Sequence, residues 1–487
     1  MEECLETHEE CKQTFSTSSA PFFPKRTISV GSNNNNIKLV ENRDSATDQY
    51  TCLSHCWGTQ QPLKTTKSFL VSHLNSLPYN SLPKTFQDAI DLTRRIGVRH
   101  IWIDSLCIIQ DDENDWATEA SQMHLIYSNA YFTIAAADAV DCRGGCYRNF
   151  KPVEFTVLST KLFVKNELQP ADVPLFDRGW VYQEQYLSIR TIYFTRYELA
   201  WECETKLDHE WRVGLPGPLP RWHKRLDGDA GWGGVIVPEY TARKLSYRSD
   251  KLPALSGIAR QCEDQGSKPG TTPLGRYLAG LWESGLPGQL AWSIGNSKGS
   301  QRAAEYLAPS WSWASVDGPI AFQWSNNKLF PNTPGTSITA EVLSVECTPS
   351  TIDPFGRVSD GHLWLKTILL PAQLDSDGDW WKCTINGLLE DCVLSDTLPD
   401  SPRAKNPKAI MCAILHARSE PPTGTIERFE ATFLMIVPNE SEDGAYRRIG
   451  LVNLYCPIWS WQSPLPIDTI ARFTEILNLS VSSIKII

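Results

Sequence analysis

The sequence predicts an α/β fold for the first part of the chain and a β-rich domain for its end. Two observations carry the α/β prediction. Apolar segments at residues 50–53, 101–107 and 131–136 alternate with two helical patterns, which implies neighbouring parallel strands joined by right-handed crossovers. The middle segment belongs to Ile101–Ile109, an apolar run with one carboxylate, Asp104, bounded by charge on both sides; it reads as a strand buried on both faces. A third observation marks the end: from about residue 326 the chain turns to short alternating strands separated by Pro, Gly, Asp and Ser. Four parts are expected. Residues 1–48 are a polar extension with a short hairpin, and 49–205 a parallel three-layer sheet domain. Residues 206–325 are a helical Trp-rich region, and 326–487 a β-rich domain packed on the first part.

Within 1–48, residues 26–30 and 37–40 read as two strands joined across Gly31–Asn36. Tyr50–Leu53 starts the first central strand, which runs out into a turn at Gly58. Ser54 and Trp57 therefore lie at a strand's carboxyl end, where the loops of a parallel sheet gather around a site. Pro83 suits the first turn of the next helix, whose stripe is Phe86, Ala89, Ile90, Thr93 and Ile96, and Gly97 ends it. An ionised Asp104 in the following run must be paired, cap a backbone N–H, or lie at the strand's end facing a cleft.

Asp111, Asp112, Glu113 and Asp115 crowd the start of a helix, with Asn114 or Asp115 as its cap. On that helix Trp116, Ala120, Met123, Tyr127 and Ala130 share one face, and Glu119 sits on the edge of this apolar arc. A carboxylate on the packing side is the odd residue of this helix. Loops and hairpins fill 138–170. A short helix around Trp180, with Arg178 and Glu184 on either side, and strands at 190–194 and 198–203 close this part.

Composition narrows the function classes. Aromatics make up 10% of the 487 residues and Trp occurs 18 times, a globular composition. The net charge of −10 and the lack of a basic block argue against nucleic acid as a partner. No apolar run is long enough to span a membrane, and the acidic start Met1-Glu2-Glu3-Cys4 does not read as a signal peptide, so a cytoplasmic protein is expected. Cys52, Cys56, Cys107 and Cys412 sit in apolar segments and read as buried, reduced thiols. Cys4, His8 and Cys11 offer three soft ligands on a short helix. Zinc wants a fourth, none stands nearby in sequence, and no metal site is assigned.

The motifs Leu53-Ser54-His55-Cys56-Trp57-Gly58, Leu82-Pro83-Lys84-Thr85-Phe86, and Trp102-Ile103-Asp104-Ser105-Leu106-Cys107-Ile108-Ile109-Gln110-Asp111 resemble the fungal heterokaryon-incompatibility (HET) domain. Asp115-Trp116 with Glu119 continues the likeness, and Arg178-Gly179-Trp180 with Gln183-Glu184 ends it. The flanks resemble the wider family at Cys4, His8 and Cys11, at residues 250–259 and at residues 446–450. The resemblance implies a role in fungal non-self recognition and programmed cell death, and a fold similar to Toll/interleukin-1-receptor (TIR) domains, some of which cleave NAD with a helix-borne glutamate near a Trp. Trp116 and Glu119 are three positions apart where the TIR motif uses four, and Ala117 stands where that motif has Cys.

Three functions follow as expectations. The first is NAD glycohydrolysis, with NAD as substrate and no other cofactor. Its catalytic candidates are Glu119 and Asp104, and its substrate-binding candidates are Ser54, Trp57, Trp116, Arg178, Trp180, Gln183 and Glu184. A carboxylate beside the departing nicotinamide would stabilise the oxocarbenium-like ribosyl centre, and Arg178 can meet phosphate with two parallel hydrogen bonds. The second is a non-enzymatic signalling module, assembling with copies of itself or with an incompatibility partner protein. The third is small-molecule metabolism, with His55, His100 and Cys107 as acid–base groups. The strand-end geometry separately places Glu119, Asp104 and Arg178 in one cleft with Ser54, Trp57, Trp180 and Glu184, Glu119 being either buried against Arg178 or open to a ligand.

Overall fold

The computed structural model describes residues 2–12, 22–42, 48–58, 63–147, 153–157, 160–164, 173–210, 231–267, 273–295, 302, 305–322, 336–377, 380–385, 389–395, 408–420, 428–456 and 479–487. The chain divides into two compact units. The first holds Met1–Arg225, Arg243–Ser246 and Pro253–Ile258; the second holds Leu226–Ala242, Tyr247–Leu252 and Ala259–Ile487.

The first unit begins with two short helices, α1 (Glu2–Thr7) and α2 (Glu9–Lys12). Its sheet contains β1 (Arg26–Ser29), β2 (Lys38–Glu41), β3 (Tyr50–Ser54), β4 (His100–Trp102) and β5 (Thr133–Ala135). A separate hairpin, β6 (Val153–Val157) with β7 (Thr160–Val164), precedes β8 (Arg190–Phe194), β9 (Leu199–Cys203) and β10 (Leu207–His209). The sheet order is β10-β9-β8-β5-β3-β4-β1-β2. The pairs β8–β5, β5–β3 and β3–β4 are parallel, so the three expected central strands are neighbours. The sheet as a whole is mixed, because β1, β2, β9 and β10 join antiparallel. The hairpin of the polar extension is thus part of this sheet, β1 pairing directly with β4.

Helices α3 (Leu70–Asn75), α4 (Lys84–Arg95), α5 (Asp104–Cys107), α6 (Glu113–Ser128) and α7 (Gly179–Leu187) complete the unit. Side-chain alternation along β3 shows how two of them cover the sheet. Tyr50 donates its hydroxyl to the Ile126 carbonyl of α6 at 2.7 Å, and the Cys52 thiol reaches the same oxygen at 3.7 Å. Thr51, between them, meets Thr93 of α4 at 2.8 Å. One helix therefore packs on each face, and β3 is buried throughout.

Two details of the helices correct the sequence reading. The run Ile101–Ile109 is not one strand: pairing stops at Trp102 and the chain closes a helical turn over Asp104–Cys107. A short apolar run does not by itself choose between strand and buried helix. The cap of α6 is Asp112, which accepts from the Asn114 and Asp115 amides, while Asp115 turns inward and is 7% exposed.

Gln183 of α7 is fully buried, and its Oε1 accepts from the Gly257 amide at 2.7 Å. A Cβ on Gly257 would meet Gln183 Oε1 and His124 Cβ, each at 2.7 Å. Gly257→Ala should therefore destabilise the protein by roughly 1–3 kcal/mol, the cost of overpacking, and shift a urea midpoint without changing the slope. An unchanged midpoint would show that the contact has slack.

In the second unit the stretch expected to be helical is much less so. Among its described residues it holds Val237–Thr241, the end of the helix Pro253–Gly266, a five-residue π-turn at Trp232–Ile236, short 3-10 turns and strands of two or three residues. The buried Trp232, Trp282, Trp292, Trp311 and Trp313 fill a core in which aromatic packing sets the backbone path rather than helical periodicity. The β-rich end forms a ten-stranded sheet among the described residues. Its longest strands, Lys408–Glu420, Arg428–Pro438 and Ala445–Cys456, pair antiparallel in sequence order. Arg448 is buried in this unit, donating to the carbonyls of Leu290 and Trp292 with its guanidinium 3.4 Å from the Trp292 ring centroid.

Candidate functional site

The site forms where the parallel strands end. Cys52 pairs with Trp102 across β3 and β4, so Ser54 and Asp104, each two residues further on, leave the sheet at the same edge. Asp104 starts a helical turn and takes the Ser105 amide on Oδ1 at 2.7 Å. Its other oxygen, Oδ2, accepts from the Trp57 indole at 2.8 Å. The Asp104 side chain is 18% exposed, and His55 Nδ1 lies 3.9 Å from its Oδ1. Gly58 turns the chain away beyond Trp57 with φ of +77°, a backbone that favours glycine.

Arg178 enters from the start of α7 and donates Nη1 to the His55 carbonyl. Lys244 holds this entry by accepting from the Gly179 amide at 2.7 Å and donating its own amide to the Asp177 carbonyl at 2.6 Å. Glu184, about one and a half turns into α7, is buried. Burial pushes its carboxyl up to about 7 against the pull of Arg178; Asp104 adds to the rise, and the Ser54 and Tyr127 hydroxyls oppose it. Burial also lowers His55 to about 4, against Asp104, so its imidazole is neutral at physiological pH. The cluster is therefore Ser54, His55, Trp57, Asp104, Tyr127, Arg178 and Glu184: two carboxyls, one guanidinium and a neutral imidazole at one sheet edge.

The expected place of Glu119 is corrected. Glu119 is fully buried, and its cation is Arg26 of β1, with Nη2 3.5 Å from Oε1. Neither Glu119 oxygen has a hydrogen-bond partner among the described residues. Arg26 also pairs with Asp115 and donates Nε to the Cys107 carbonyl at 2.6 Å, while Lys25 reaches Asp115 at 2.8 Å from outside. The carboxylates thus divide into two groups: Asp104 and Glu184 near His55, where the charge of Arg178 opposes the rise at Glu184, and Asp115 and Glu119 with Arg26.

The other candidates fall as follows. Trp116 and Trp180 are half-buried and face each other edge to face at 6.1 Å. Gln183 is fully buried and tethered to the Gly257 amide. Cys107 is fully buried and burial raises its thiol far above the ordinary range, which removes it as a nucleophile or acid–base group. His100 opens β4, at the other end of the strand from Asp104, and is bonded to Thr27 at 3.0 Å. Sequence reasoning missed Arg26 and Tyr127 as partners of the acidic residues. The only signal for Arg26 was a charged residue opening a strand, which is ordinary on an edge.

Burial raises Glu119 to about 7, with Arg26 opposing and Asp115 adding to the rise. A carboxyl raised in the folded state contributes its full stability below its ordinary value of 4.5 and loses it as pH rises through about 7. Glu119→Gln, which imitates the protonated form, should match the parent near pH 5 and be more stable at pH 8 by on the order of 3 kcal/mol. Urea midpoints of both proteins at pH 5, 6, 7 and 8 check this, and a constant difference across the series would refute it.

Residues 50–184 match the family described as heterokaryon incompatibility protein (HET). The matched segment runs from the start of β3 to Glu184 and so contains every member of the strand-end cluster. No curated protein and no solved structure matches the chain. Among the described residues no helix is long and apolar enough to cross a membrane.

Proposed function

We propose that this protein acts in heterokaryon incompatibility, the fungal response to non-self, and that its strand-end cluster cleaves NAD. The carrying observation is that His55 lies between a partly exposed carboxylate and a half-buried cation: its imidazole stands 3.9 Å from Asp104, and its carbonyl accepts from Arg178. Arg178 would meet the pyrophosphate, and Trp57, fixed by its bond to Asp104, offers an aromatic face to a ring. The glycosidic C–N bond breaks with its electron pair going to the nicotinamide nitrogen, so neutral nicotinamide leaves. The Asp104 carboxylate stabilises the ribosyl cation until water adds to it. Glu184, poised near 7, can take the proton that water gives up.

The test is chromatographic. Purified full-length protein incubated with NAD should release nicotinamide and ADP-ribose in equal amounts. Overexpression in a fungal host should arrest growth and deplete NAD. Growth arrest with NAD intact, and no nicotinamide from the folded protein, would overturn the enzymatic reading in favour of signalling by assembly.

A further inference from the structure

Cys4 and Cys11 on the N-terminal helices, His8 between them, and Cys203 at the end of β9 come together in the first unit. One ligand atom from each lies within 4.8 Å of all the others. The thiols are buried, at 2%, 1% and 0% exposure for Cys4, Cys11 and Cys203, and His8 is half-buried. His8 Nδ1 stands 3.4 Å from Cys203 Sγ and 3.8 Å from Cys11 Sγ. A tetrahedral zinc ion with ordinary bond lengths holds its sulfur and nitrogen ligands about 3.6 Å apart, between those two values. The first three ligands are close in sequence and meet at the break between the two helices, Cys4 on α1, His8 between them and Cys11 on α2. The fourth, which the sequence did not offer nearby, is brought in by the sheet from 192 positions beyond Cys11.

We propose that Cys4, His8, Cys11 and Cys203 are the ligands of a structural zinc ion that clips the N-terminal helices to the edge of the sheet. The surroundings fit that ion. Three thiolates on Zn²⁺ leave a net charge of −1, and a buried cation, Arg190, is beside it. Arg190 is 7% exposed, donates to the Cys11 and Tyr131 carbonyls, favours the thiolate of Cys4, and keeps its Nε without a hydrogen-bond partner among the described residues. The Thr205 hydroxyl stands 3.7 Å from Cys11 Sγ, in position to support a thiolate. Ile189 and Trp201 close the site with apolar surface. All four positions are taken by protein, which is the closed form of a structural site and leaves none for a substrate.

Full-length protein purified without chelator should carry about one zinc per chain by elemental mass spectrometry. Cobalt grown or exchanged into the chain should give thiolate-to-metal charge transfer and the intense visible bands of a tetrahedral site. Cys203→Ser should bring the zinc content to background. Because that variant can unfold, the wild-type protein is also treated with a strong chelator: its melting temperature should fall and recover on adding zinc. Wild-type protein that is folded, carries no stoichiometric metal and binds no cobalt would overturn the proposal. So would a thiol titration in denaturant that finds a disulfide among these residues in place of the 14 free cysteines expected from the sequence. Neither result bears on NAD cleavage, since the assay reads metal and thiols alone.

Discussion

Arg26→Met should destabilise the first unit by roughly 3–5 kcal/mol, the largest single-residue effect expected in this protein. Arg26 is 1% exposed and is the buried cation facing both Asp115 and Glu119. Lys25 pairs with Asp115 from the half-exposed side and opposes the rise at Glu119 less than Arg26 does. Removing the guanidinium leaves two buried carboxyls facing one another and also strips the Cys107 carbonyl of a donor. Burial alone would raise Asp115, but its bonds to Arg26 and Lys25 hold it below the ordinary carboxylate range, so losing Arg26 should let it take up a proton. Urea unfolding of Arg26→Met at pH 7 measures the cost. The physical account also predicts a rescue: adding Asp115→Asn and Glu119→Gln to Arg26→Met should recover a large part of the loss, because no buried charge is left unpaired. A single variant within about 0.5 kcal/mol of the parent would refute the network, since that is the range of ordinary surface substitutions.

Asp104→Asn should cut nicotinamide release by at least ~10²-fold, the scale of losing one preorganised electrostatic partner of a transition state. The change keeps the size of the side chain but leaves one acceptor oxygen where Asp104 uses two, for the Ser105 amide and the Trp57 indole, so a modest fall in melting temperature is expected and turnover is compared on folded protein. Glu119→Gln lies in the other network and should leave turnover within a few fold. Arg178→Ala should raise KM with Asp104 in place, since it removes binding to the pyrophosphate, although it also removes the donor to the His55 carbonyl. If Asp104→Asn folds and turns over NAD at the parent rate, Asp104 is a structural partner of Trp57 and the chemistry belongs elsewhere. A reversal, with Glu119→Gln inactive and Asp104→Asn active, would restore the helix-borne glutamate as the reacting group despite its burial.

Several features were legible in the residues themselves. Local periodicity and the Pro83 and Gly97 punctuation predicted α4 and its buried stripe of Phe86, Ala89, Ile90 and Thr93. Three apolar segments separated by helices predicted the parallel neighbours β4, β3 and β5. For Asp104 the residues left pairing, a backbone cap and a strand end open, since an ionised carboxylate is costly anywhere deeper; it stands just past the end of β4 and accepts from the Ser105 amide. Each of these signals lives within a few residues of chain, where the side-chain period and the local turn chemistry act. The limits of local reading appear at Ile101–Ile109, where strand and buried helical turn share one composition, and at the Trp-rich stretch of the second unit.

Only the tertiary structure decided which charges meet. Glu119 reads as odd on its helix from sequence, but whether Arg178 or Arg26 faces it depends on β1 being inserted beside β4, a pairing across some 70 residues that no local pattern specifies. The same holds for Cys203, which the sheet carries to Cys4, His8 and Cys11. Electrostatic and metal-ligand contacts act over a few ångströms in space and are indifferent to distance along the chain. The sequence by itself therefore determined which residues carry charge or a thiol and which elements hold them; the folding of the sheet determined their partners.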